Sequence, residues 1–187
     1  MPNIPYTWRL LALFTVVVLF LALDLRNPPG QRHRWREYLF LLGCGAITAL
    51  FGMSVDAVTS RISPEYFIIG KGIAEGDGFA LRVAELGAQA GFAGGIIGGG
   101  VLLLVNHQPA KALGLFQVIA WPILFAAVCG TLAGGVLAVS PFYTLPLASE
   151  LLDSPEAHHM TVVWFVHLGI YIGGTIGLII AARRVRK

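Results

Sequence analysis

Three ionisable residues fall where a chain this apolar has little reason to carry them: Asp56, Glu85 and His167. Charge within or at the edge of a bilayer is expensive, so such groups are the first candidates for ion or proton chemistry. Asp56 shares a helical stripe with Thr48 and Gly52 at four-residue spacing, and Arg61 is close enough in sequence to clamp it. Asp56 and Glu85 are both expected near the same membrane boundary, and facing each other they would make an ion or proton site. His167, in Trp164-Phe165-Val166-His167-Leu168-Gly169, has two readings. It is either a hydrogen-bonded interhelical histidine or an axial ligand to a haem iron or a pigment magnesium, with Gly169 leaving room for a flat ring.

Other groups carry weaker signals. His158 and His159 follow Glu150, Asp153 and Glu156, but no HExxH or other ligand spacing is present, so a solvated acidic loop is expected and no metal is assigned. Gly70-Lys71-Gly72 lacks the GxxxxGK[ST] pattern, which argues against a nucleotide. The absence of GxSxG removes the nucleophile-elbow signal, and no catalytic residue is assigned. Basic clusters flank apolar stretches without interleaved aromatics, which suits anionic lipid headgroups rather than nucleic acid. Cys44 and Cys129 both lie inside apolar stretches and read as small packing thiols.

The elements that must hold these groups are membrane helices. Of 187 residues, 56% are hydrophobic and 12% charged, about half the charged fraction of a soluble domain. Five stretches can cross a hydrocarbon core, at residues 7–25, 37–58, 82–105, 114–139 and 160–182. The first ends in Leu23-Asp24-Leu25 without a small-x-small site and reads as a retained span rather than a signal peptide. The expected fold is therefore an all-α integral membrane protein of five helices forming one membrane domain over 1–187. It divides into a first span with its basic connection (1–35), a hairpin (36–105) with a structured outer loop (59–81), and a second hairpin with a basic tail (106–187). Nine Lys and Arg residues fall on one side and four on the other, which puts the amino terminus outside and the carboxy terminus in the cytoplasm of a bacterial inner membrane.

Three spans carry small residues every fourth position: Gly87, Gly91, Gly95 and Gly99; Ala126, Gly130, Gly134 and Ala138; Gly169, Gly173, Gly177 and Ala181. Such stripes let helix backbones approach closely. Cys44-Gly45 and Cys129-Gly130, each followed by a Ser-Pro-x-Tyr word (Ser63–Tyr66 and Ser140–Tyr143) and a returning ladder, suggest two hairpins in parallel repeat. Internal repeats in transporters place sites at the repeat interface. Pro122 is expected to kink the fourth span. The first span has no glycine and should lie at the periphery, against lipid or a partner.

The loop from 59 to 81 combines Pro64, interface-type aromatics and Asp77, placed to cap the next helix. Its start, Asp56-x-x-Thr59-x-x-Ile62-Ser63-Pro64-Glu65-Tyr66-Phe67, continuing to Gly70-Lys71-Gly72, resembles a segment of bacterial multi-span membrane proteins to which no activity is assigned. The resemblance covers roughly residues 50–105 and implies a family rather than a function. Because the distinctive residues serve helix packing, the leading expectation is a structural or accessory subunit of a larger membrane assembly. In that reading Arg61, Ser63, Pro64, Glu65, Tyr66 and Phe67 make an outer contact with other membrane subunits. A small transporter or channel using Asp56 and Glu85 is the alternative, and a pigment- or haem-binding protein through His167 is the third.

Overall fold

A computed structural model of the chain describes residues 6–28, 34–106, 109–140, 144–145, 148 and 153–186. The architecture is helical, with no strand among the described residues. Helix α1 spans Tyr6–Arg26, α2 Trp35–Ile62, α3 Pro64–Lys71, α4 Phe79–Asn106, α5 Ala120–Ala138 and α6 Ser154–Val185, with a 3-10 turn at Pro109–Gln117 before α5. Four segments are long and apolar enough to cross a membrane: α2, α4, Lys111–Ala138 and Pro155–Val185. The helices overrun the apolar stretches that announce them. Once nucleated, each added residue gains a backbone hydrogen bond at little cost, so α6 begins at Ser154 rather than near residue 160.

The chain packs as two tight pairs, α2 with α4 and α5 with α6, that meet each other far more loosely. The seams within the pairs are backbone against backbone. A Cβ placed on Gly91 would lie 2.1 Å from the Thr48 carbonyl oxygen, and one on Gly52 would lie 2.2 Å from the Gly87 carbonyl oxygen. On Gly95 it would meet Cys44 O at 2.5 Å, and on Gly99 Cys44 Sγ at 3.1 Å. In the second pair, Cβ atoms on Gly169, Gly173 and Gly177 would lie 2.5, 2.2 and 2.5 Å from the carbonyl oxygens of Cys129, Phe125 and Trp121. Apart from Gly99, whose Cβ would meet only side-chain atoms, none of these positions admits a side chain without parting the helices.

The ladder on α5 works differently. Gly130 and Gly134 receive the side chains of Ile170 and Val166, Ala126 is buried towards Gly174, and Ala138 is exposed. That stripe is a groove for knobs from α6, and the α5 backbone is met instead along Trp121, Phe125 and Cys129. The two Cys-Gly words are consequently not equivalent. Aligning Gly91 with Gly169 and Gly95 with Gly173 leaves Cys44 opposite Gly95 but Cys129 opposite Gly169, one helical turn out of step. The second Ser-Pro-x-Tyr word lies outside the described residues from Pro141 onward.

Pro122 does not kink a long helix, because it sits in the first turn of α5, where its missing N–H would have had no helical partner. At the end of the bundle that holds the start of α2 and the ends of α4 and α6, Phe40, Cys44, Leu102, Leu115 and Ala181 form a buried cluster, and Arg184 stacks over Trp121 at 4.1 Å. Helix α1 touches α2 and α4, with Phe14 and Phe92 ring centroids 6.4 Å apart, while Leu11, Leu19 and Leu23 stay exposed.

Candidate functional site

The connection between α2 and α4 is built around one cap. Ser63 ends α2 and opens α3: its Oγ accepts from the Tyr66 backbone N–H at 3.3 Å and donates to Glu65 Oε2 at 2.9 Å, and Pro64 supplies the preset φ of the first helical turn. After the eight residues of α3, Gly72, at φ 67°, closes the helix in the left-handed conformation that side chains disfavour. So fixed, α3 turns Tyr66 and Phe67 inward, 3% and 0% exposed, against Met160 and Val163 of α6.

Beneath them Asp56 and His167 meet. His167 Nε2 lies 3.0 Å from Asp56 Oδ1, and His167 Nδ1 lies 2.9 Å from the Val163 carbonyl oxygen. Asp56 is 7% and His167 9% exposed. The Tyr66 ring stacks on the imidazole with centroids 4.9 Å apart at 19°, and Phe67 meets it edge-on at 6.2 Å. The hydrogen-bond geometry fixes the proton count. A carbonyl only accepts, so Nδ1 must carry a hydrogen and donate to Val163. The contact between Nε2 and the carboxyl oxygen then needs one further proton, on either the imidazole or the acid. Without it, a nitrogen lone pair would face a carboxylate.

The pair joins α2 of the first hairpin to α6 of the second and lines a cavity of about 390 Å³ between them. Thr48, Phe51, Phe67, Pro122, Tyr171 and Thr175 are among the lining residues. Its floor is a small-residue stripe of α4, Ala90, Gly94 and Gly98, set beside the ladder that faces α2. A Cβ on Gly94 would meet nothing within 4 Å, and one on Gly98 only the Leu178 side chain at 3.8 Å. A second apolar cavity of about 490 Å³ lies between α2 and the α5–α6 pair, sharing Phe51, Val55 and Ile170 with the first. At the end of α3 Lys71 Nζ stands 5.3 Å from the Tyr66 ring centroid. Burial, with smaller contributions from Tyr171 and Asp56, pushes the Tyr66 phenol above its ordinary value.

No protein-family model, curated protein or solved structure matches this chain.

The expected partners of Asp56 give way to another. Glu85 is half-buried and is not among the cavity-lining residues. It stands two residues from Gly87, about 200° around α4 from the stripe that approaches Asp56. Arg61 is exposed, and the hydrogen-bond partner of Asp56 is His167 rather than that guanidinium. The outer-contact set is likewise divided, with Ser63, Tyr66 and Phe67 buried inside the chain and Arg61, Pro64 and Glu65 keeping surface. Both nitrogens of His167 are engaged within the chain, so a metal at Nε2 would first have to displace Asp56. The Asp77 backbone carbonyl accepts from Arg82 Nη1 at 3.0 Å, and this arginine also holds Ala74 O at 2.7 Å, tying the loop to α4. Among the described residues no three His, Cys, Asp or Glu side chains gather as metal ligands, and Glu150 lies outside them.

Two parts of the site escaped sequence reasoning. The Asp56–His167 pair spans 111 residues and depends on how the hairpins dock. The second stripe on α4 was visible as Ala90, Gly94 and Gly98 at four-residue spacing, overshadowed by the ladder beside it. The inward turn of Tyr66 also had a signal, since serine followed by proline is a helix-start pattern.

Proposed function

We propose that the protein is a small proton-linked transporter of the bacterial inner membrane, in which two helical hairpins move relative to each other about the Asp56–His167 contact. The observation that carries this reading is the buried pair bridging the hairpins at the edge of the cavity between them. With the shared proton in place the pair latches α2 to α6. Without it the carboxylate and the Nε2 lone pair repel, the latch opens, and the cavity changes the side from which it is reached. Motion concentrates at this loosely packed boundary because the helices within each hairpin are locked by close glycine-to-backbone contacts that the boundary between the hairpins lacks. In this reading α1 is a fifth, peripheral span, the amino terminus is outside, and Asp56, about 9 Å before the end of α2, is near the outer boundary. The common packing rule of the two hairpins fits an ancient duplication whose halves have slipped by one turn. An accessory-subunit role has less support, since the aromatics that would make its outer contact are spent inside the chain.

Thiol accessibility tests the proposal. Thr175→Cys, on the inner half of the cavity wall, is placed in a background with Cys44 and Cys129 replaced by alanine. Labelling by a membrane-impermeant maleimide is followed from each face of sealed vesicles between about pH 5 and about pH 8. Rates are normalised to the same cysteine in an Asp56→Asn protein to remove the intrinsic pH dependence of the thiol. The expected result is a pH-dependent exchange of the accessible side. Identical two-sided labelling at every pH would end the reading.

A further inference from the structure

Resting on the transporter reading and naming its substrate class, we infer that the inter-hairpin cavity takes a monovalent lipophilic cation in exchange for the proton shared by Asp56 and His167. Among the described residues, the ionisable groups lining the cavity are Asp56 and Tyr171 together with His167 and Lys71. Helices α4 and α5 contribute none to it, and α3 adds Tyr66 behind the imidazole. With one shared proton, the Asp56–His167 pair is neutral as a unit. Remove that proton and the pair carries one negative charge, which a single positive charge from elsewhere would balance. In the exchange, Asp56 and a neutral His167 share one proton. A monocation settles against the carboxylate, His167 stays neutral with its Nδ1 hydrogen on Val163, and the proton leaves to water. One cation in and one proton out leave the net charge of the site unchanged.

The rest of the wall decides which cation. A bare metal ion needs several oxygen ligands. Here Thr48 Oγ already donates to Cys44 O at 2.7 Å, and Thr175 Oγ to Tyr171 O at 2.8 Å. Most of the remaining lining is Gly, Ala, Ile, Leu and Phe. The occupant must therefore carry its own apolar shell. Phe51, Phe67 and Tyr171 put aromatic side chains into the lining, which suits a diffuse positive charge, and the Lys71 ammonium over Tyr66 is a cation already held by a ring at the same aromatic cluster. About 390 Å³ lies within the range of small-molecule sites. A lipophilic anion would have to rely on Lys71, which sits exposed at the outer end of α3, away from the apolar depth of the cavity.

Tetraphenylphosphonium and tetraphenylborate, alike in shape and opposite in charge, test the assignment. Each is titrated into the full-length protein in weakly buffered detergent, with binding followed by calorimetry and protons by a pH dye. The expected result is phosphonium binding that releases about one proton per cation and tightens roughly tenfold per pH unit while the pair is protonated, with no borate binding. Asp56→Asn should abolish proton release. Gly94→Phe, which fills the open floor and leaves the pair intact, should abolish binding, so a folding defect in the first variant does not decide the matter. Borate binding, or phosphonium binding without proton release, overturns the substrate class. If neither ion binds while Thr175→Cys still exchanges sides with pH, the substrate class falls and the transporter stands. If that exchange is also absent, both fall.

Discussion

Gly91 and Gly94 lie three residues apart on α4 and should respond oppositely to the same added methyl group. At Gly91 the new Cβ would sit 2.1 Å from the Thr48 carbonyl oxygen, whereas a relaxed carbon–oxygen contact is about 3.3 Å. Neither backbone can rotate away, so α2 and α4 must part by roughly 1 Å. A gap of that size forfeits about a third of the dispersion energy of each atom pair along the seam. For on the order of 40 pairs at ~0.15 kcal/mol each, the loss is about 2 kcal/mol, inside the usual range for overpacking. At Gly94 the methyl meets nothing within 4 Å, and alanine is the better helix former, so the change should be neutral or stabilising by up to about 0.5 kcal/mol. Reversible unfolding in mixed detergent–SDS micelles, followed by tryptophan emission, measures both. Equal midpoints for Gly91→Ala and Gly94→Ala would refute a backbone seam between α2 and α4. The opposite order would mean that α4 is rotated, with its other stripe against α2.

Asp56→Ala should cost about 1–3 kcal/mol in the same assay by orphaning Nε2 of His167, while Asp56→Asn, whose amide can donate to a neutral imidazole, should cost less. Ser63→Ala removes the cap of α3 and should cost about 1 kcal/mol, read as faster proteolysis between residues 72 and 78. Tyr66 ionises less readily folded than unfolded. Its neutral form contributes no pH dependence below the ordinary value near 10, and stability should fall as pH rises above it. Tyr66→Phe should keep the ring stack and flatten that alkaline fall, checked by unfolding midpoints and by phenolate absorbance.

Membrane class and the close-packing ladders of α4 and α6 were legible because four-residue spacing of glycine has one strong physical meaning in a bilayer. The same spacing on α5 was ambiguous. A stripe of small residues admits either a backbone or knobs, and only the bulk of Val166 and Ile170 opposite Gly134 and Gly130 decides for knobs. Asp56 and His167 were both visible as costly groups, but their union was not. Glu85 looked like a partner for Asp56 because both lie near the same end of their spans, yet its position around α4 takes it off the facing stripe. Tyr66 and Phe67 looked like interface aromatics until the Ser63 cap fixed which way α3 turns. What composition and spacing leave open is rotation about each helix axis and the docking of one hairpin on the other.

The 111 residues between Asp56 and His167 are also an interval of time during synthesis. The α2–α4 seam can close as soon as residue 106 is in the membrane, but the imidazole that satisfies Asp56 is still untranslated. At about 5–20 residues per second, the carboxyl waits roughly 5–20 s from its own synthesis for its partner. During that wait its place near the end of α2 lets interfacial water stand in for the imidazole. Helix α6, on arriving, therefore replaces that water and completes a buried polar link between the hairpins, making the fifth apolar stretch the step that commits the chain to its final arrangement.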